Sequence, residues 1–235
     1  MKTFRLCTML VSLLLAIAYG AGEQASGGET AKQATSKEMM DAGYKRYRTK
    51  SAMVEYELSG ARKGTETLYF DQWGMREAKH TSAETSFSGF SRKENSLTVM
   101  DGEWIYAIDL DRKTGTKTKN PLLKEITDKH GTKDLGEIGE RIMKQTGEKT
   151  GTGDVAGKLC DIWEVKNLGT KTWVWNGVPL KVQTKMAGLE MTTTATRVKE
   201  GATIPEDKFA VPAGVRITEG PDVKDVLQRM KQRQK

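Results

Sequence analysis

Asn176-Gly177 lies between two alternating runs, Lys171–Trp175 and Val178–Gln183, and no other feature narrows the folds open to this chain as much. A type I′ turn needs φ > 0 at both central residues, and Asn and Gly reach that region at little steric cost. A two-residue loop there would pair Trp175 with Val178, Trp173 with Leu180 and Lys171 with Val182. Side chains alternate along a strand and directly paired residues share a face. One face then carries Trp173, Trp175, Val178, Leu180 and Val182. The other carries Thr172, Val174, Pro179, Lys181 and Gln183. An apolar aromatic face of this kind covers a core or lines a groove.

Similar signals recur along the chain. Ala52, Val54, Tyr56 and Leu58 alternate before a turn that opens at Ser59-Gly60 and closes near Gly64. Thr65 to Trp73 reads as a strand broken by Gly74 and continued from Met75 to Thr81. A polar loop is expected over Ser82 to Asn95, then a strand from Ser96 to Met100. Asp101-Gly102 is a second hairpin signal, followed by Trp104, Tyr106, Ile108 and Leu110 on one face. Val155 to Val165 holds a turn at Gly157. Leu189 to Val198 is Thr-rich and alternating, and Phe209 to Val215 is the last extended piece. Short strands with turn chemistry between them predict an antiparallel sheet.

Helical signals fall around the strands. Thr35-Ser36-Lys37-Glu38 fits a capping box and predicts a short helix running to about Tyr47. After a polar, basic stretch from Asp111 to Asn120, a helical turn is expected over Pro121 to Ile126. Leu135, Ile138 and Ile142 predict a helix ending at Gly147. After Pro221, Val223, Val226, Leu227 and Met230 line one face of a basic amphipathic tail. Its apolar stripe is short for interfacial binding, so docking on the sheet is expected over membrane contact.

The N-terminus bears on compartment. Lys2 and Arg5 precede an apolar run from Met9 to Ala18, followed by small residues at Gly20, Ala21 and Gly22. This is the pattern of a secretory signal, too short to span a bilayer. Cys7 precedes the apolar run, so it is not placed for lipid modification. The expected organisation is a signal peptide over 1–20, a flexible leader over 21–35, a half-barrel domain over 36–220 and the tail over 221–235. Removing residues 1–20 leaves 36 basic against 31 acidic residues, a net charge of +5. In an exported protein that balance points to anionic head groups, with at most peripheral membrane contact, and not to nucleic acid. Cys160 would remain as a single thiol, so no disulfide within the chain is expected.

No catalytic constellation is evident. His80 and His130 have no partner at metal-ligand spacing. There is no nucleophile elbow, phosphate loop or dinucleotide fingerprint. Cys160 sits in an alternating run and reads as a half-buried structural residue. No enzyme activity, metal or cofactor is expected.

Three segments carry a resemblance. They are the paired-Trp hairpin, Val155-Ala156-Gly157-Lys158-Leu159-Cys160-Asp161-Ile162-Trp163, and the closing Phe209-Ala210-Val211-Pro212-Ala213-Gly214. With the order of elements, they make residues 45–216 resemble the periplasmic lipoprotein-carrier and outer-membrane lipoprotein-receptor superfamily, with its uncharacterised exported relatives. The resemblance implies a mainly β, α+β fold: a curved, antiparallel, unclosed β-barrel covered by short helices, with a cavity for acyl chains. It implies a periplasmic, non-catalytic protein that binds or shuttles a lipid or lipidated molecule. Trp173, Trp175, Val178 and Leu180 would line the groove, with Trp104 and Tyr106 as further candidates; Tyr69 and Phe70 cannot both point inward. The alternative is an envelope sensor or scaffold that engages a protein partner through a strand edge or the basic tail.

Overall fold

The computed structural model describes residues 35–87, 89–119, 122–186 and 188–220. The expected signal peptide, nearly all of the leader, and the amphipathic tail lie outside these residues. Strands β1 (Ala52–Gly60), β2 (Arg62–Asp71), β3 (Arg76–Phe87), β4 (Phe90–Asp101), β5 (Trp104–Asp109) and β6 (Thr114–Lys119) form one meander. Strands β7 (Glu148–Val155), β8 (Lys158–Val165), β9 (Thr170–Trp175), β10 (Val178–Met186) and β11 (Leu189–Glu200) form a second. Pairing of β1 with β11 joins the two meanders. A short β12 (Arg216–Glu219) adds in parallel beside β6. The single sheet runs β12-β6-β5-β4-β3-β2-β1-β11-β10-β9-β8-β7, and all its other pairs are antiparallel. It is an unclosed, curved half-barrel. The β7 end curls far enough for β7 to touch β11 and for Lys158 of β8 to bridge Glu200 at 2.7 Å.

Period-two patterning sorts the side chains. Ala52, Val54, Tyr56 and Leu58 of β1 are all buried on the inner face. Ala52, Val54 and Tyr56 join Leu68, Phe70, Ala195, Leu180, Val178, Trp175, Cys160 and Val155, with Tyr47 laid over Phe70 at 4.5 Å. The outer face of the first meander buries Ala78, Leu97, Val99 and Ile108. Residues 209–217 cover it with Phe209, Val211, Val215 and Ile217. Tyr69 packs into this outer cluster while Phe70 is in the inner one, as strand alternation requires.

Arg76 fastens the covering segment. Its guanidinium pairs with Asp71 and reaches Glu206 at 2.6 and 2.9 Å, while its plane lies 4.2 Å above the Phe209 ring. The part-buried bond to Asp71 is charge-assisted, and such bonds contribute about 1.5–3 kcal/mol. Arg76→Ala is expected to lose stability in that range and to speed amide exchange in residues 206–217, read by mass spectrometry. Glu206 is fully exposed, and the Arg76 hydrogen bond holds its carboxyl below the ordinary range. A depressed folded pKa gives stability above the unfolded pKa that is lost as pH falls. The protection factors of those amides, corrected for the intrinsic exchange rate, should therefore fall as pH drops below the usual carboxylate range.

The helices follow local signals. Helix α1 (Ser36–Asp41) has the capping box in place, with Thr35 Oγ1 accepting from Glu38 N and the Glu38 carboxylate accepting from Thr35 N. It ends six residues before the expected Tyr47. Gly43 takes φ +89°, and the amides of Gly43 and Tyr44 bond back to Met40 and Met39 carbonyls, a Schellman stop. Helix α2 is Leu122–His130, longer than the single turn expected. Helix α3 (Leu135–Thr146) starts at the Asp134 cap and ends at Gly147. Met39, Met75 and Leu123 form a third buried cluster, with Tyr44 and Leu135 against it.

Four sequence expectations need correction. Trp175 does pair with Val178, but a bulge between Pro179 and Lys181 shifts the hairpin, so Trp173 faces Lys181 and Lys171 faces Gln183. Most of the expected Ser82–Asn95 loop is strand, because β3 and β4 stay paired to the Phe87–Phe90 tip. The polar stretch from Asp111 to Asn120 contains β6, held between β5 and β12. The closing segment has a 3-10 turn at Glu206–Phe209, and its strand begins only at Arg216.

Candidate functional site

An open hollow of about 740 Å³ lies along β1 and β2. Glu55, Tyr56, Glu57 and Leu58 contribute from β1, with Lys63 and Glu66 from β2. The antiparallel register sets Tyr56 against Glu66 and Leu58 against Gly64. Gly64 matters here: its φ is +145°, and a Cβ would come within 2.1 Å of the Ser82 carbonyl oxygen on β3. Tyr56 borders both regions, because it lines the hollow and is also a member of the inner apolar cluster. Its hydroxyl donates to the Pro179 carbonyl at 3.1 Å, tying β1 to the bulged hairpin. Burial first, then the negative charges of Glu66 and Glu77, push the phenol pKa up, so it stays a donor.

Polar groups cross the floor of the half-barrel beside this hollow. Glu66 accepts from the Thr81 hydroxyl at 3.1 Å and pairs with Lys79 at 3.5 Å. Glu77 accepts from the Tyr47 hydroxyl at 2.7 Å and lies 3.9 Å from Arg46 Nη1. Arg46 Nη2 also approaches Met100 Sδ at 2.9 Å. Arg46, Tyr47 and Glu77 are 7%, 6% and 3% exposed, so this is an interior charge pair. Arg46 and Tyr47 arrive on a strap that crosses the end of the barrel. Both of their backbone amides donate to the Trp73 carbonyl, and Lys50 O accepts from Trp73 N. The turn it grips is strained, with positive φ at Gln72, Trp73 and Gly74 in succession.

The six residues singled out from the sequence divide between places. Trp175, Val178 and Leu180 are buried together in the inner cluster, at 8%, 0% and 0% exposure. Trp173 packs at the border of that cluster, half-buried. Trp104 and Tyr106 lie on β5, on the outer face, opposite Lys119 and Lys117. Tyr106 packs into the outer cluster under the covering segment. The hollow residues Tyr56, Leu58 and Glu66 were not among the candidates. Alternation placed Tyr56 and Leu58 on one face without saying which, and only the cross-strand register brings Glu66 beside Tyr56.

Cys160 is fully buried, and burial, with Asp154 and Asp161 nearby, pushes its thiol up to about 11. Since the thiolate is the reactive form, folded Cys160 should react with iodoacetamide at pH 8 at least ~100-fold more slowly than a free thiol. Reaction at the free-thiol rate would contradict this. Among the described residues, no group of three or more His, Cys, Asp and Glu could hold a metal ion. No helix among them is long and apolar enough to cross a membrane.

No protein-family model matches the chain, and no curated protein does. Solved structures are similar at the level of overall fold. An uncharacterized conserved protein from Thermus thermophilus aligns over 78% of this chain and 98% of its own, at 8% identity and a TM-score of 0.49. A chain of the Pseudomonas aeruginosa MucA/MucB complex aligns over 72% of this chain and 58% of its own, at 14% identity and a TM-score of 0.44. LprF from Mycobacterium bovis aligns over 73% and 92%, at 10% identity and a TM-score of 0.33. At such scores function has to be argued from the residues of this chain.

Proposed function

We propose that this chain is an exported, non-catalytic binding protein of the bacterial envelope that takes up a lipid or lipidated molecule. The reading starts from Tyr56, which separates an open, mixed-polarity hollow from a buried apolar cluster. An amphiphile needs both environments: polar partners for its head and an apolar wall for its chain. Glu55, Glu57, Lys63 and Glu66 offer polar contacts at the mouth. Displacement of the Tyr56 ring would lead a chain toward Leu180, Val178 and Trp175, the three candidates buried behind it. Export rests on the basic, apolar and small-residue order of residues 1–22. Trp173, Trp104 and Tyr106 stand outside this route.

The protein-partner alternative gains less from the fold. The β7 edge carries a bulge between Lys149 and Gly151, and the β12 edge is only four residues long. Bulges, edge lysines and short edge strands all discourage strand addition.

The test is uptake of a fluorescent fatty acid by the mature protein, paired with native mass spectrometry and lipid extraction of protein from its own envelope. Saturable, stoichiometric uptake is expected. Tyr56→Ala opens the route and should tighten uptake several-fold, whereas Leu180→Trp should block it. Absence of uptake by both the wild type and Tyr56→Ala, each folded by circular dichroism, would sink the proposal.

A further inference from the structure

Trp173 and its two lysines suggest a second surface, separate from the hollow. The indole is half-buried in mid-sheet, and Gly153 of β7 makes room for it: a Cβ there would lie 3.3 Å from the indole nitrogen. Two ammonium groups flank the ring. Lys181, paired with Trp173 across the bulged hairpin, is 4.7 Å from its centroid, and Lys171 is 5.6 Å away. Neither lysine forms an ion pair with a described residue, whereas Lys149, Lys158, Lys185 and Arg197 elsewhere on these strands do. Gln183, Thr192 and Thr194 follow on the same face, all partly exposed. The arrangement recurs at the other end of the sheet. There Lys117 and Lys119 stand 3.7 and 5.9 Å from the Trp104 centroid, again without an ion pair among the described residues.

Retaining an ammonium beside an indole is favoured by cation–π attraction. That attraction places the lysines and does not cancel their charge. The Trp173 surface therefore presents a half-buried indole, fixed positive charge and neighbouring hydroxyl and amide groups. A sugar acid has the complementary set: a carboxylate, ring C–H groups and hydroxyls. A bilayer fits less well, because the indole sits within a strand and not at a projecting turn. We propose that the Trp173–Lys171–Lys181 surface binds an acidic polysaccharide, its carboxylates pairing with the two lysines.

The experiment is affinity electrophoresis of the mature protein through gels containing polygalacturonate, with dextran gels as the neutral control. Retardation by polygalacturonate alone is expected, weakening with salt as screening predicts. Lys171→Gln/Lys181→Gln should reduce affinity at least tenfold. Lys93→Gln/Lys199→Gln removes the same net charge at exposed positions outside both sites and should leave affinity within about twofold. Equal losses in the two double variants would show net charge alone at work and overturn the proposal. No retardation of the wild type, or binding only to phosphatidylglycerol vesicles, would overturn it too. Fatty-acid uptake by Lys171→Gln/Lys181→Gln should be unchanged, so the two sites stand or fall separately.

Discussion

Glu77→Ala is expected to destabilise the protein by about 3–5 kcal/mol, the cost of leaving a buried charge without its partner. The Arg46 guanidinium is 7% exposed, and Glu77 is its only carboxylate partner among the described residues. The Tyr47 hydroxyl would lose its acceptor in the same step. Arg46 Nε already has no partner among the described residues, so the guanidinium has little else there to fall back on. Breaking the pair and replacing it are different experiments. Arg46→Met/Glu77→Leu removes both charges and fills similar volume, and such exchanges are often neutral or stabilising. Urea denaturation of both variants decides the matter. If Glu77→Ala costs under about 1 kcal/mol, the pair is solvated in solution and the strap does not seal the barrel end.

Phe70→Ala should cost a comparable amount, about 3–5 kcal/mol, by lost transfer energy and a cavity. Phe70 is fully buried and lies under the Tyr47 ring with planes tilted by 54°. The two effects should couple. Tyr47→Ala and Phe70→Ala in a double-mutant cycle should show an interaction of about 0.5–1.5 kcal/mol, as for other aromatic pairs. A cycle that closes at zero would mean the strap rests on the sheet without contributing to the inner cluster.

Much of the fold was legible because its signals are local. Asn176-Gly177 and Asp101-Gly102 mark real hairpin turns, and the Thr35–Glu38 box and Gly147 mark real helix ends. Alternation put Ala52, Val54, Tyr56 and Leu58 on one face of β1, and that face is the buried one. The bulge at Pro179–Lys181 was not legible, because one extra residue leaves the alternation around it looking intact. It moved Lys181 opposite Trp173, where Leu180 was expected. The tips of β3 and β4 were read as loop because Ser82 to Asn95 is a predominantly polar run. Pairing to a neighbour holds them as strand regardless. The hollow and the Arg46–Glu77 pair depend on which strands become neighbours. No local pattern in Lys45–Thr49 announces that its arginine will meet a carboxylate on β3.

The seam between β1 and β11 has a kinetic consequence. Each meander is built from hairpins whose partners lie close in sequence, so each can form early at small loop-closure cost. The seam instead pairs Ala52 with Glu200 and Gly60 with Met191, and it can close only after the intervening chain has been ordered. Residues such as Val54 and Ala195 should then have low φ-values: weakening them would leave the folding rate nearly unchanged and speed unfolding. The two halves would part along that line first under load or heat, each still holding most of its own hairpins.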